Sequence, residues 1–157
     1  MNVAVIPLGA SLTVDKNFES FVDNGIWEGH LHTSWLEEPA YTIVDCDDDE
    51  ISDAQFECMR KVCNLDSRTL EELKLWLFKE CQVQNYGSRI DRQIDTPDQL
   101  WQLLEQQTIN IPPENAITSK CLFAISFECP WDEEHGISVL FDSTGTPAKI
   151  AGYGDHF

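Results

Sequence analysis

The stretch Cys129-Pro130-Trp131-Asp132-Glu133-Glu134-His135-Gly136 brings a thiol, three consecutive carboxylates and an imidazole together. Carboxylates beside a histidine can relay a proton or hold a metal ion. Neither chemistry is complete in this run. A metalloprotease helix needs His-Glu-x-x-His, and the second histidine is absent here. The chain also has no Gly-x-Ser-x-Gly nucleophile turn, no phosphate-cradling loop and no Gly-x-Gly-x-x-Gly after a strand. The stretch lies between two strand-like runs, so it reads as a six-residue hairpin connection, Pro130–His135. Asp132 can accept hydrogen bonds from the backbone N–H groups that follow it. Gly136 can supply a positive φ or a bulge, and Trp131 can cover one end of the core. Trp131, Asp132, Glu134, His135 and Gly136 are therefore assigned as a structural turn, with no catalytic residue and no metal. The competing expectation is a hydrolase or metal-dependent enzyme using Asp132, Glu134 and His135, joined in space by His30 or His156.

Two other groups invite the same question. Asp45, Asp47 and Asp49 imitate the opening of a calcium loop, but its glycine and final carboxylate positions are filled by Glu50 and Phe56. Asp45, Asp47, Asp48, Asp49 and Glu50 instead precede a helix, where the positive end of the macrodipole favours anions. As the densest negative patch of the chain, they are also the first candidate for contact with a protein partner. His30 and His32 share one face of a strand, yet two imidazoles are too few for a zinc site.

The elements that must position these residues follow from periodicity. Trp27, Leu31 and Trp35 share one parity and Glu28, His30 and His32 the other, the alternation of a half-buried strand. Glu37-Glu38-Pro39 breaks it, and Ala40–Cys46 forms a second strand, paired with the first as a hairpin. The period then changes to helical. Ser52 and Gln55 have capping-box spacing, followed by Phe56, Met59 and Cys63. A second helix, capped by Ser67 or Thr69, carries the stripe Leu70, Leu73, Leu77 and Cys81. A third starts at Thr96-Pro97-Asp98-Gln99 and turns Leu100, Leu103 and Leu104 inward, with Pro112-Pro113 ending regular structure. Residues 121–129, 136–142 and 148–155 are strand-like again. Strands, then helices, then strands predict an α+β fold. Its antiparallel sheet has five to six strands, with three helices inserted mid-chain and laid on one face. One domain over residues 1–157 is expected, with 1–17 an extra strand or a loosely attached segment.

Bulk composition narrows the function. Lys plus Arg is 10 and Asp plus Glu 28, a net charge of −18. That sign repels phosphate backbones and anionic membranes, which excludes nucleic acid and membrane partners. It steers in a basic protein instead. The N-terminus lacks a basic region before its broken apolar run, so no signal peptide is read. The six cysteines show no C-x-x-C pair and sit in apolar patterns, the usage of buried thiols in a cytoplasmic protein.

The runs FECPWDEEHGISVLF and AKIAGYGD resemble the C-terminal part of a bacterial family of unknown function, whose members share a W-D-x-E-H-G-hydrophobic hairpin. GIWEGHL and ISDAQFECMRKV resemble its early strand and first helix start, so the likeness spans about residues 25–155. It carries over to Trp27, Gly29, Gln55, Trp131, Asp132, Glu134, His135, Gly136 and Gly152. The resemblance implies a small, soluble bacterial protein, some of whose relatives are immunity-like, and it brings no catalytic residue or cofactor. The leading expectation is a non-enzymatic, acidic, protein-binding module.

Overall fold

The computed structural model of the chain describes residues 4–6, 25–46, 50–83, 94–116 and 123–152. Asp47, Asp48, Asp49, Cys121 and His156 lie outside them, as do the side chains of Asp132 and His135.

Helix α1, Asp53–Cys63, begins where the capping box places it. Ser52 Oγ accepts from the Gln55 N–H at 3.1 Å, and Gln55 Oε1 accepts from the Ser52 N–H at 3.0 Å. Asp53 stands at the positive end of the dipole and Arg60 and Lys61 at the negative end. The helix's last carbonyls, which no intrahelical donor can reach, are met from outside. Trp35 Nε1 donates to the Val62 carbonyl at 2.8 Å, and the Ser34 N–H to that of Cys63 at 2.8 Å. Helix α2, Thr69–Val83, buries Leu73, Leu77 and Cys81 and leaves Leu75 exposed.

Strands β1 (Ala4–Ile6), β2 (Ile26–Leu31), β3 (Ala40–Asp45), β4 (Glu105–Ile111), β5 (Phe123–Cys129), β6 (Asp132–Phe141) and β7 (Pro147–Gly152) form one sheet in chain order. The architecture is α+β, with the helices on one face. β2 and β3 form the expected hairpin, with Trp27 opposite Val44 and His30 opposite Tyr41. The sheet is mixed rather than wholly antiparallel, because β1 lies parallel to β2 and β4 parallel to β3. All three helices lie in the connection from β3 to β4. A crossover of that length returns the chain to the end where β3 began, and the next strand then runs parallel.

The third helix, α3, spans only Pro97–Trp101. Its start is as expected: Thr96 Oγ1 accepts from the Gln99 N–H at 3.2 Å, with Pro97 in the first turn. The expected continuation through Leu103 and Leu104 is replaced by a turn, closed by the Leu103 and Leu104 N–H groups on the carbonyls of Leu100 and Trp101, and β4 follows at Glu105. Glu105, Gln106 and Gln107 carry no strand pattern, but Glu105 pairs with Glu128 of β5, and Thr108 pairs with Tyr41 of β3 and Ser126 of β5, so the neighbours' backbone groups draw the segment into the sheet.

The face beneath the helices is apolar. Trp27, Leu31, Val44, Ile109, Phe123, Ile125, Val139 and Phe141 are fully buried there, each stabilising the fold by about 1.5–3 kcal/mol. Phe123 and Phe141 stack at 4.3 Å between ring centroids, and Trp35 tilts against both. The reverse face holds a buried polar ladder across β4, β5 and β6. Asn110 Nδ2 donates to Ser126 Oγ at 2.8 Å, and Ser126 Oγ bonds Ser138 Oγ at 2.8 Å. A ladder with its partners in place fixes register, since a one-residue slip would strand each polar group in the interior. The five described cysteines are buried thiols. Burial pushes the thiol of Cys63 up to about 11 and that of Cys81 up to about 12.

Candidate functional site

Strand register sorts the candidate residues to the two ends of the sheet. Asp45 pairs with Ile26, Val44 with Ile111, and Phe123 with Phe141, which marks one end. Leu31 pairs with Ala40, Glu105 with Glu128, and Cys129 with Asp132, which marks the other. Asp45 therefore sits at the end opposite the W-D-E-E-H-G run, and the two do not converge.

At the acidic end, Asp45 and Glu50 are exposed on either side of Asp47–Asp49. The backbone here is anchored by Gln55, which is only 1% exposed. Its Nε2 donates to the carbonyls of Asp45 and Pro112, the latter at 2.9 Å, while its Oε1 completes the capping box. One amide thus joins the end of β3, the residue after β4 and the start of α1. This accounts physically for the glutamine in the resemblance.

At the opposite end the hairpin is tighter than expected. Only Pro130 and Trp131 lie between β5 and β6, not the six residues Pro130–His135, because Asp132 already pairs with Cys129. The extra residues are taken up inside β6, where the register shifts between Phe127 and Cys129. Gly136 lies in that irregularity with φ +62, and a Cβ on it would stand 2.2 Å from the Phe127 carbonyl oxygen. Only glycine meets both conditions. Trp131 is half-buried against the core, and Glu134 is exposed. His30 lies edge-on to Tyr41, with ring centroids 5.6 Å apart, and its Nδ1 is buried without a hydrogen-bond partner. Among the described residues, no three His, Cys, Asp or Glu side chains are grouped to hold a metal ion.

The same end of the sheet contains a cavity of about 400 Å³ that no local sequence pattern announced. Leu36, Glu37, Glu38 and Pro39 of the β2–β3 connection and Ala40 of β3 form one wall, with Leu70 and Lys74 of α2, Trp101 of α3, and Gln106 and Gln107 of β4. Gln106 and Gln107 are the two residues of a β-bulge, since Glu105 pairs with Glu128 and Thr108 with Ser126. Gln106 has φ 51, a conformation uncommon for a residue with a side chain. Lys74 Nζ lies 3.2 Å from Asp98 Oδ1, 3.4 Å from Glu71 Oε1 and 5.8 Å from the Trp101 ring centroid. Burial works against its charge, but the bond to Asp98 and the neighbouring Glu71 outweigh it and hold the ammonium above its usual range. Trp101 meets Phe127 edge-on at 5.4 Å. Phe127 is the residue whose carbonyl Gly136 accommodates, so the hairpin motif and the lining residue Trp101 touch the same residue.

Among the described residues, no helix is long and apolar enough to cross a membrane. The sequence profile of a family described as a domain of unknown function, DUF6985, matches residues 17–157. No curated protein and no solved structure matches the chain.

Proposed function

The chain belongs to the DUF6985 family, and we propose that it is a non-catalytic, immunity-like module of the bacterial cytoplasm that binds a basic protein partner. The net charge of −18 carries this reading. An excess of that size creates a potential that speeds encounter with a cationic surface and disfavours anionic ones. Asp45 and Glu50, exposed at the two ends of the Asp47–Asp49 run, are the contact residues in this reading. Gln55 supports it by tying the Asp45 backbone to α1, so these carboxylates are presented from a fixed base. A pre-ordered surface loses less entropy on binding.

The test is affinity capture from a bacterial lysate over a series of salt concentrations. A basic protein should be retained at low ionic strength and released as salt rises, because screening shortens the reach of exposed charges. Retention indifferent to both salt and the double variant Asp45→Lys, Glu50→Lys would overturn the reading.

A further inference from the structure

We propose that the cavity between the β2–β3 connection and helices α2 and α3 receives an arginine side chain presented by a protein partner. The inference goes beyond the proposed function: it places a specific contact at the end of the sheet away from Asp45 and Glu50, and it shares with that reading only the sign of the charge.

The volume of about 400 Å³ lies in the range of sites that enclose a small ligand or a large side chain. Its apolar surfaces, Leu36, Leu70 and the Trp101 ring, are half-buried and suit the methylene stem of a long cationic residue. The charges decide the sign of the occupant. Among the described lining residues Lys74 is the cation, and its charge is already met by Glu71 and Asp98. Glu37 and Glu38 are exposed and add two carboxylates to the wall. An anion entering here would meet the two wall carboxylates with the one ammonium already compensated, whereas a cation finds Glu37 and Glu38 as partners.

Arginine fits better than lysine on two counts. Its planar guanidinium can lie against an aromatic face, and its five N–H donors need several acceptors around one plane. Gln106 and Gln107 can supply amide oxygens beside Glu37 and Glu38. The β-bulge brings both glutamines to the cavity at the cost of the positive φ at Gln106. Bulges that re-aim side chains occur beside binding sites, and a backbone held in an unfavourable region is concentrated there.

The experiment titrates the intact chain with acetyl-Gly-Arg-Gly-amide, following the Trp101 indole N–H resonance by NMR after assigning it with Trp101→Phe. The neutral citrulline peptide and acetyl-Gly-Glu-Gly-amide serve as comparators. We expect a saturable shift with the arginine peptide and none with the other two. Affinity should weaken severalfold in Glu37→Gln, Glu38→Gln, whose exposed positions leave the fold intact as judged by its amide spectrum. Equal shifts with citrulline, preference for the glutamate peptide, or no saturable shift with arginine would each overturn the proposal. Because this readout does not involve Asp45 or Glu50, its failure leaves the acidic-face reading standing. Failure of the salt-dependent capture, conversely, leaves the cavity proposal standing.

Discussion

Gln55 makes three hydrogen bonds from one buried side chain, and their loss should be measurable. Gln55→Ala would leave the carbonyls of Asp45 and Pro112 without their donor and remove half the capping box. An unsatisfied buried acceptor costs about 1–3 kcal/mol, so we expect a loss of about 2–4 kcal/mol in urea unfolding. A loss well below about 1 kcal/mol would mean that water replaces the amide without penalty. Gly136 makes a second residue-scale case. Gly136→Ala places a methyl group against the Phe127 carbonyl in a backbone region that alanine rarely enters. It should destabilise by about 2 kcal/mol or more and alter Trp101 emission, since Phe127 contacts that ring. Unchanged emission with lowered stability would show that the hairpin does not position Trp101. Both residues stood out in the sequence by type and spacing, because a capping box and a strand-entrance glycine have local causes.

Elements were legible where their signals were local and hidden where pairing decided them. The starts of α1 and α3, the alternation of Trp27 and Leu31, and the turn after Phe141 are all set by neighbouring residues. β4 was not legible, because Glu105-Gln106-Gln107 favours a helix in isolation and becomes a strand only between β3 and β5. The cavity was hidden for a related reason. Its lining comes from four separated segments, and Lys74 and Trp101 stood off the leucine stripes of their helices with no local sign of a common destination. The β6–β7 turn is held by one carboxylate. Asp142 Oδ1 accepts from the Thr144 hydroxyl at 2.6 Å and from the N–H groups of Thr144 at 2.9 Å and Thr146 at 3.1 Å. The Thr144 hydroxyl, with those backbone donors, outweighs the slight effect of burial and holds the carboxyl below its ordinary range. Its contribution to stability is therefore present above the ordinary carboxylate pKa and is lost as pH falls through the lower folded value. Asp142→Asn should lower the urea midpoint at neutral pH, and the gap from the parent should close on acidification. A gap that widens in acid would contradict the assignment.

At the scale of the molecule, one sheet separates two features that the sequence left unplaced. The exposed carboxylates lie where β3 ends, and the conspicuous Trp-Asp-Glu-Glu-His-Gly run lies at the far end, folded into a bulged hairpin. Surface charge of one sign acts over a Debye length of about 8 Å at physiological ionic strength, shorter than the run of β3 from Ala40 to Asp45 at about 3.3 Å per residue, so the two ends can be altered independently. The most direct measurement compares two variants for binding to the same captured basic protein at fixed salt: His135→Ala and the pair Asp45→Lys, Glu50→Lys. Charge reversal should weaken binding at least tenfold, about 1.4 kcal/mol, while His135→Ala binds as the parent does once folding is verified. Loss of binding in His135→Ala, with the charge-reversed protein unaffected, would contradict it.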